Sequence, residues 1–239
     1  MTVEINLEKL DNILSNSSLV IMDLLELLPF IIGLIYWKKF TGTPILWFIL
    51  FLGYNFLNEI VAAFVYVVEL VDRNYVFYNI RFLFYFSMYF WLFHRFLKRS
   101  AFKKATIIFY FCWLLTYVYF IVFKYFLYEM AVSSFIIGGF LVFIVILFFL
   151  IETINDSDLS KIQDSILFYI SVGLLLNLVI QLPVYIITQL GWTQVTDSSD
   201  TRNTFFSIIR NTSFGISCIM YLIFAYGLYR AKRPKITAT

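Results

Sequence analysis

Seven apolar stretches, 18–37, 44–70, 75–97, 105–128, 130–151, 166–190 and 204–229, occupy almost the whole chain. A bilayer's hydrocarbon core is about 30 Å thick and a helix rises about 1.5 Å per residue, so roughly 20 apolar residues suffice to cross it. Each stretch is therefore read as a spanning helix. The expected fold class is an all-α integral membrane protein of seven transmembrane helices. The first stretch carries Asp23 and Glu26, and if it lay on the surface six spans would remain.

Composition excludes the soluble alternative. Of 239 residues, 62% are hydrophobic and 14% charged, with a mean hydropathy of +0.85. A soluble domain of this length buries about three quarters of its chain surface, which would leave large apolar patches in water. A soluble enzyme, a nucleic-acid binder and a disordered linker all fall on this argument. The longest polar intervals, 152–161 and 191–203, are too short for a separate domain. The chain divides into a tail or interfacial helix at 1–17, a transmembrane bundle at 18–230 and a basic tail at 231–239.

Basic residues set the direction, because Lys and Arg resist translocation and gather on the cytoplasmic side. Twelve of the eighteen fall on one set of alternate loops: Lys38, Lys39, Arg95, Lys98, Arg99, Lys103, Lys104, Lys161, Arg230, Lys232, Arg233 and Lys235. The opposite loops hold Lys9, Arg73, Lys124 and Arg202. This predicts an extracytoplasmic N-terminus, a cytoplasmic C-terminus and an odd number of spans. Glu4, Glu8 and Asp11 against Lys9 are the reverse of a signal peptide's basic n-region. The expected location is an inner, cytoplasmic bacterial membrane.

Little of the usual catalytic chemistry is encoded. One histidine, His94, and two cysteines, Cys112 and Cys218, fall short of a metal centre. No cofactor is expected. The seventh helix has no lysine for a retinal Schiff base, and no serine has a histidine at its depth.

The start of the third stretch, Arg73 to Arg81, reads RNYVFYNIR, and the start of the seventh, Arg202 to Arg210, reads RNTFFSIIR, with five of nine positions identical. Asn55 and Glu59 in the second stretch also match Asn177 and Gln181 in the sixth, both spaced i, i+4. The expectation is two parallel three-helix repeats, 18–97 and 130–230, joined by a connecting helix. This layout resembles that of the SWEET sugar transporters in topology. Pro29 and Pro183 stand in paired helices as that family's prolines do, although the Pro-Gln pair is missing and the fifth helix has no proline. The resemblance implies small-solute transport. Asn58 and Glu59, the Tyr78, Asn79 and Ile80 stretch and the Asn211 region also resemble the uncharacterised seven-helix membrane proteins of Bacteroidota, a resemblance that implies no activity.

One polar layer stands out. Ionisable residues inside a bilayer cost roughly 2.5 to 3.5 kcal/mol each on insertion scales, so they require partners or a cavity. Glu26, Glu59, Arg81 and Arg210 lie roughly 9 to 17 Å from the outer surface at about 1.5 Å per residue. Asn55, Asn58, Asn177, Gln181 and Asn211 fall near the same depth. The expected site is an outward-facing cavity where two carboxylates meet two guanidiniums. Its candidate ligand-binding residues are Glu26, Asn58, Glu59, Arg81, Gln181 and Arg210.

Two readings of that layer stay open. In one, the charges neutralise each other and fix helix register. In the other, they take a small polar or anionic solute or carry a proton. Beyond the lipid bilayer, the expected partners are that solute or a cytoplasmic protein on the Arg95 to Lys104 loop or the C-terminal basic tail, with no nucleic acid. The functions in view are small-solute transport or ligand binding, then a sensor or scaffold subunit, then an intramembrane lipid-modifying enzyme using Glu26 or Glu59 as base.

Overall fold

A computed structural model describes residues 6–15, 17–71, 73–155, 159–189 and 201–233, which contain helices and no strand. In chain order these are α1 Leu7–Ser15, α2 Ser17–Ile35, the short α3 Trp37–Phe40, α4 Pro44–Val67, α5 Tyr75–Phe96, α6 Ser100–Phe123, α7 Val132–Asn155, α8 Ile166–Gln189 and α9 Thr201–Arg230. A 3-10 turn at Leu159–Asp164 precedes α8.

Five of them, α4, α6, α7, α8 and α9, are long and apolar enough to cross a membrane, and the bent pair α1 and α2 makes a sixth if it counts as one span. The expected third span forms α5, a 22-residue helix, but does not reach that apolarity. Its sequence carries Asn79, Arg81, His94 and Arg95. Asn79 and Arg81 face protein: Asn79 is buried, and Arg81 keeps 15% of its side chain accessible. Pro29 and Pro183 sit inside α2 and α8 without ending them.

Six helices form a closed circuit. α2 packs on α4, α4 on α5, α5 on α7, α7 on α8, α8 on α9, and α9 returns to α2, while α6 lies outside against α5 and α7. Small residues permit the close approaches. A Cβ on Gly53 would lie 2.6 Å from Phe30 across the α2–α4 contact, and one on Gly138 would lie 2.6 Å from Trp113 of α6. The core is largely aromatic: Phe48, Phe86, Tyr89, Phe93, Trp113 and Phe224 are fully buried. Their rings meet edge-on or tilted, as Phe48 and Phe224 do at 5.4 Å.

The expected basic loops are tied into one end of the bundle. Lys39 Nζ donates to the carbonyls of Leu228 and Tyr229 at 3.2 and 3.0 Å, which places a cation on the C-terminal end of α9. Burial pushes the Lys39 ammonium pKa down. Arg233 donates to the Thr41 carbonyl at 3.0 Å, and Lys232 pairs with Asp164 at 2.6 Å. Glu152 departs from expectation. Sequence reading leaves it facing water at the end of α7. Instead it is buried, and its carboxylate accepts the backbone N–H groups of Lys98 and Arg99, both at 2.7 Å. Those are donors at the mouth of α6, which is why that helix begins at Ser100 and not at 105.

At the other end α1 is a defined helix. Asn6 caps it by accepting the Lys9 N–H at 3.0 Å, and Asn6 N–H donates to the Val67 carbonyl at the end of α4. That end closes in a Schellman motif: Leu70 N–H bonds Val65 O, Glu69 N–H bonds Tyr66 O, and Glu69 sits at φ 55°, where glycine is usual. Its carboxylate accepts from Asn6 Nδ2 at 2.7 Å and pairs with Lys9 at 3.1 Å.

Candidate functional site

The charged cluster lies inside the six-helix circuit. Arg81, six residues into α5, reaches α2 and α4 at once. Its Nη2 donates to Glu26 Oε1 of α2 at 2.6 Å, and its Nη1 donates to Glu59 Oε1 of α4. Tyr78, one turn before Arg81, donates its hydroxyl to Glu59 Oε2 at 3.3 Å. Tyr221 of α9 stands 3.4 Å from Arg81 Nη2. Tyr185 of α8 is also within electrostatic reach of Arg81 and Glu59, and it rests on Phe135 of α7 at 4.2 Å between ring centroids. Side chains of α2, α4, α5 and α9 therefore meet around one guanidinium, with Tyr185 of α8 nearby.

The site is short of positive charge. Glu26 is fully buried, whereas Arg81 and Glu59 each keep 15% of the side chain accessible. Glu26 Oε2 has no hydrogen-bond partner. Tyr221 approaches the Glu26 carboxylate without meeting the distance and angle of a hydrogen bond to that oxygen. Asp23, one turn before Glu26 on α2, lies within electrostatic reach of Glu26, Glu59 and Arg81. Asp23 is half-buried beside the cluster.

Arg210 is not part of it. The expected second guanidinium is exposed on α9 and makes no contact with the acids. Eleven residues separate it from Tyr221, the α9 residue level with Arg81, which is about 16 Å along a helix. α9 is 30 residues long against 24 for α4, α6, α7 and α8, so depth reckoned from its first residue is misleading. Two carboxylates meet one guanidinium, with a third acid alongside.

The amides form separate contacts. Asn58 donates to the Phe77 carbonyl at 3.3 Å, tying α4 to α5. Gln181 and Asn177 of α8 both donate to Ser217 Oγ of α9, at 3.1 and 3.0 Å, and Ser217 donates on to Ser213 O. Ser217 lies one turn from Tyr221, so Gln181 adjoins the cluster without bonding its acids. Asn55 is buried with Oδ1 unpartnered.

Asn79 escaped sequence reading as a structural residue. Fully buried, it donates to the carbonyls of Phe126 and Glu129 and accepts the Ala131 N–H, all at 2.8 to 2.9 Å, which fixes the α6–α7 turn. The only available signal was an amide at the head of an otherwise aromatic helix.

Two grooves open on the bundle's flanks. One of about 740 Å³ lies between α4, α5 and α6 beside Trp47, Trp91 and Tyr110, and one of about 400 Å³ lies between α8 and α9. Neither is lined by Glu26, Glu59 or Arg81. No set of His, Cys, Asp or Glu suited to a metal ion occurs among the described residues. Chemically, Arg81 is occupied by carboxylates, so an anion would have to displace one. No family model, curated protein or solved structure matches the chain.

Proposed function

We propose that this multi-pass membrane protein binds, and carries across the bilayer, a small cationic or hydroxylated solute at the Glu26, Glu59 and Arg81 cluster. In this reading seven helices span, with the N-terminus outside and the C-terminus cytoplasmic in a bacterial inner membrane. The observation that carries it is the excess of acid around Arg81 where side chains of α2, α4, α5 and α9 meet. Structural neutralisation needs one acid for one base, and a helix pair can be joined more cheaply by the Gln181 to Ser217 kind of contact seen between α8 and α9. Three acids around one base favour positive charge in the ligand, which replaces the anionic solute first expected.

The circuit supports the paired-repeat layout. α2, α4 and α5 form one arc, α7, α8 and α9 form the other, and α6 stands outside as a connector would. In each arc the second helix bonds the third through a matched position, Glu59 to Arg81 in one and Gln181 to Ser217 in the other. Glu26 is enclosed, so entry of a solute requires α2 to part from Arg81.

The experiment is thermal unfolding of the purified protein in lipid nanodiscs against a panel of small organic cations, polyols and amino acids. A stabilising cation or polyol whose effect disappears in Glu59→Gln is expected. Stabilisation by anions alone, or by nothing in the panel, overturns the reading.

A further inference from the structure

We propose that the Asp23 and Glu26 carboxyls hold one proton between them, taken from the outer aqueous phase, and that its arrival on Glu26 frees Arg81 to remain with Glu59 alone. The inference deepens the solute-binding reading by naming the species that opens the site.

Charge counting comes first. Asp23 and Glu26 from α2, Glu59 from α4 and Arg81 from α5 are the ionisable groups at the centre. The other titratable side chains facing them are Tyr54 of α4, Tyr78, Tyr85 and Tyr89 of α5, Tyr185 of α8 and Cys218 and Tyr221 of α9, all neutral in their ordinary protonated forms. α1 turns its Lys9 to Glu69 instead. With every acid ionised the cluster carries two uncompensated negative charges in an apolar ring, and each such charge costs several kcal/mol. A metal ion has no suitable ligand set here. Protonation is the remaining compensation, and one proton shared by Asp23 and Glu26 halves the excess.

Geometry then says where it acts. Glu26 Oε2 is buried without a partner, while Oε1 is committed to Arg81. Asp23 lies one helical turn outward on the same face and is half-buried, which makes it the relay between water and Glu26. α2 and α5 are not neighbours in the circuit, so the Arg81 to Glu26 contact reaches across it. The step is a proton transfer: the O–H bond of a protonated Asp23 breaks as one forms on a Glu26 carboxylate oxygen, so Asp23 returns to carboxylate and Glu26 becomes the neutral acid. Arg81 loses its charge partner on α2 and keeps the one on α4. α2 is then held by its packing on α4 and α9 without the charge contact to α5.

The test is infrared difference spectroscopy of the full chain in nanodiscs, titrated from about pH 5 to about pH 9, a range above the ordinary carboxyl pKa values. A band from one protonated carboxyl per chain is expected at neutral pH, lost on deprotonation, and absent in Asp23→Asn and in Glu26→Gln. Asp23→Asn, at a half-exposed position, guards against misfolding of the Glu26 variant. No protonated carboxyl in the wild-type protein overturns the proposal. So does a band that vanishes on adding sodium, which would make a metal cation the compensating charge. The band needs no solute: a proton without solute binding defeats only the transport reading, and solute binding without the band defeats only this one.

Discussion

Arg81 Nη2 lies 2.6 Å from Glu26 Oε1 although α4 separates their helices in the circuit. A contact that skips a neighbour holds three helices with one side chain, because Nη1 of the same guanidinium holds Glu59 on α4. The planar fork of arginine, with separate donors at fixed angles, makes this possible where lysine offers one point charge.

Removing that fork strands the buried Glu26 carboxylate and the partly buried one of Glu59. Arg81→Met is expected to lower unfolding stability in detergent by about 3 to 5 kcal/mol. Arg210→Ala, at an exposed position of α9, is expected within about 0.5 kcal/mol of wild type. Denaturant titration of both variants checks the contrast, and equal losses would show that Arg210 does belong to the site.

Glu152 predicts a second buried effect. Glu152→Ala leaves the amides of Lys98 and Arg99 without their acceptor, and about 1 to 3 kcal/mol is expected for donors stranded in this way. Hydrogen exchange reads it locally: the Arg99 amide should exchange faster while the α8 amides are unchanged. Retained protection at Arg99 would sink the capping role.

The α6–α7 contact is sterically tight. A Cβ on Gly138 would lie 2.6 Å from Trp113 Cδ1 and 2.8 Å from Phe86 Cε1, and both rings are fully buried. Gly138→Ala is expected to cost about 1 to 3 kcal/mol by overpacking. Trp113→Phe in the same chain should recover part of it, since the smaller ring makes room. Additive losses in the double variant would place the strain elsewhere.

Which of these features could be read from sequence follows from what a helix count measures. A charge inside an apolar run is rare and expensive, so the meeting of Glu26, Glu59 and Arg81 was legible as a charged cluster. Residue number gives depth at about 1.5 Å per position but not which neighbour a side chain faces. Arg210, exposed on α9, was misplaced for that reason. Glu152 and Asn79 satisfy backbone groups of distant segments, and no local pattern announces such a partner. The helices themselves were legible from apolarity, save that α5, with its polar groups turned to the interior, is less apolar than its length suggests.

The latch on α1 gives a pH prediction. The Asn6 amide, then Lys9, hold the Glu69 carboxyl below its ordinary value of 4.5. A carboxylate favoured in the folded state contributes stability above its unfolded pKa, and that contribution disappears as pH falls through the lower folded value. Docking of α1 should therefore be flat from neutral pH down to the ordinary carboxyl range and weaken only below it. Hydrogen exchange at Leu10, whose N–H donates to the Asn6 carbonyl, follows the event. Glu69→Gln should lose protection at all pH values and abolish the acid step. Glu69→Gly separates backbone from side chain: it suits the φ of 55° but removes the carboxylate, so α4 should end as before while α1 loosens. An acid step that survives in Glu69→Gln would assign it to another group.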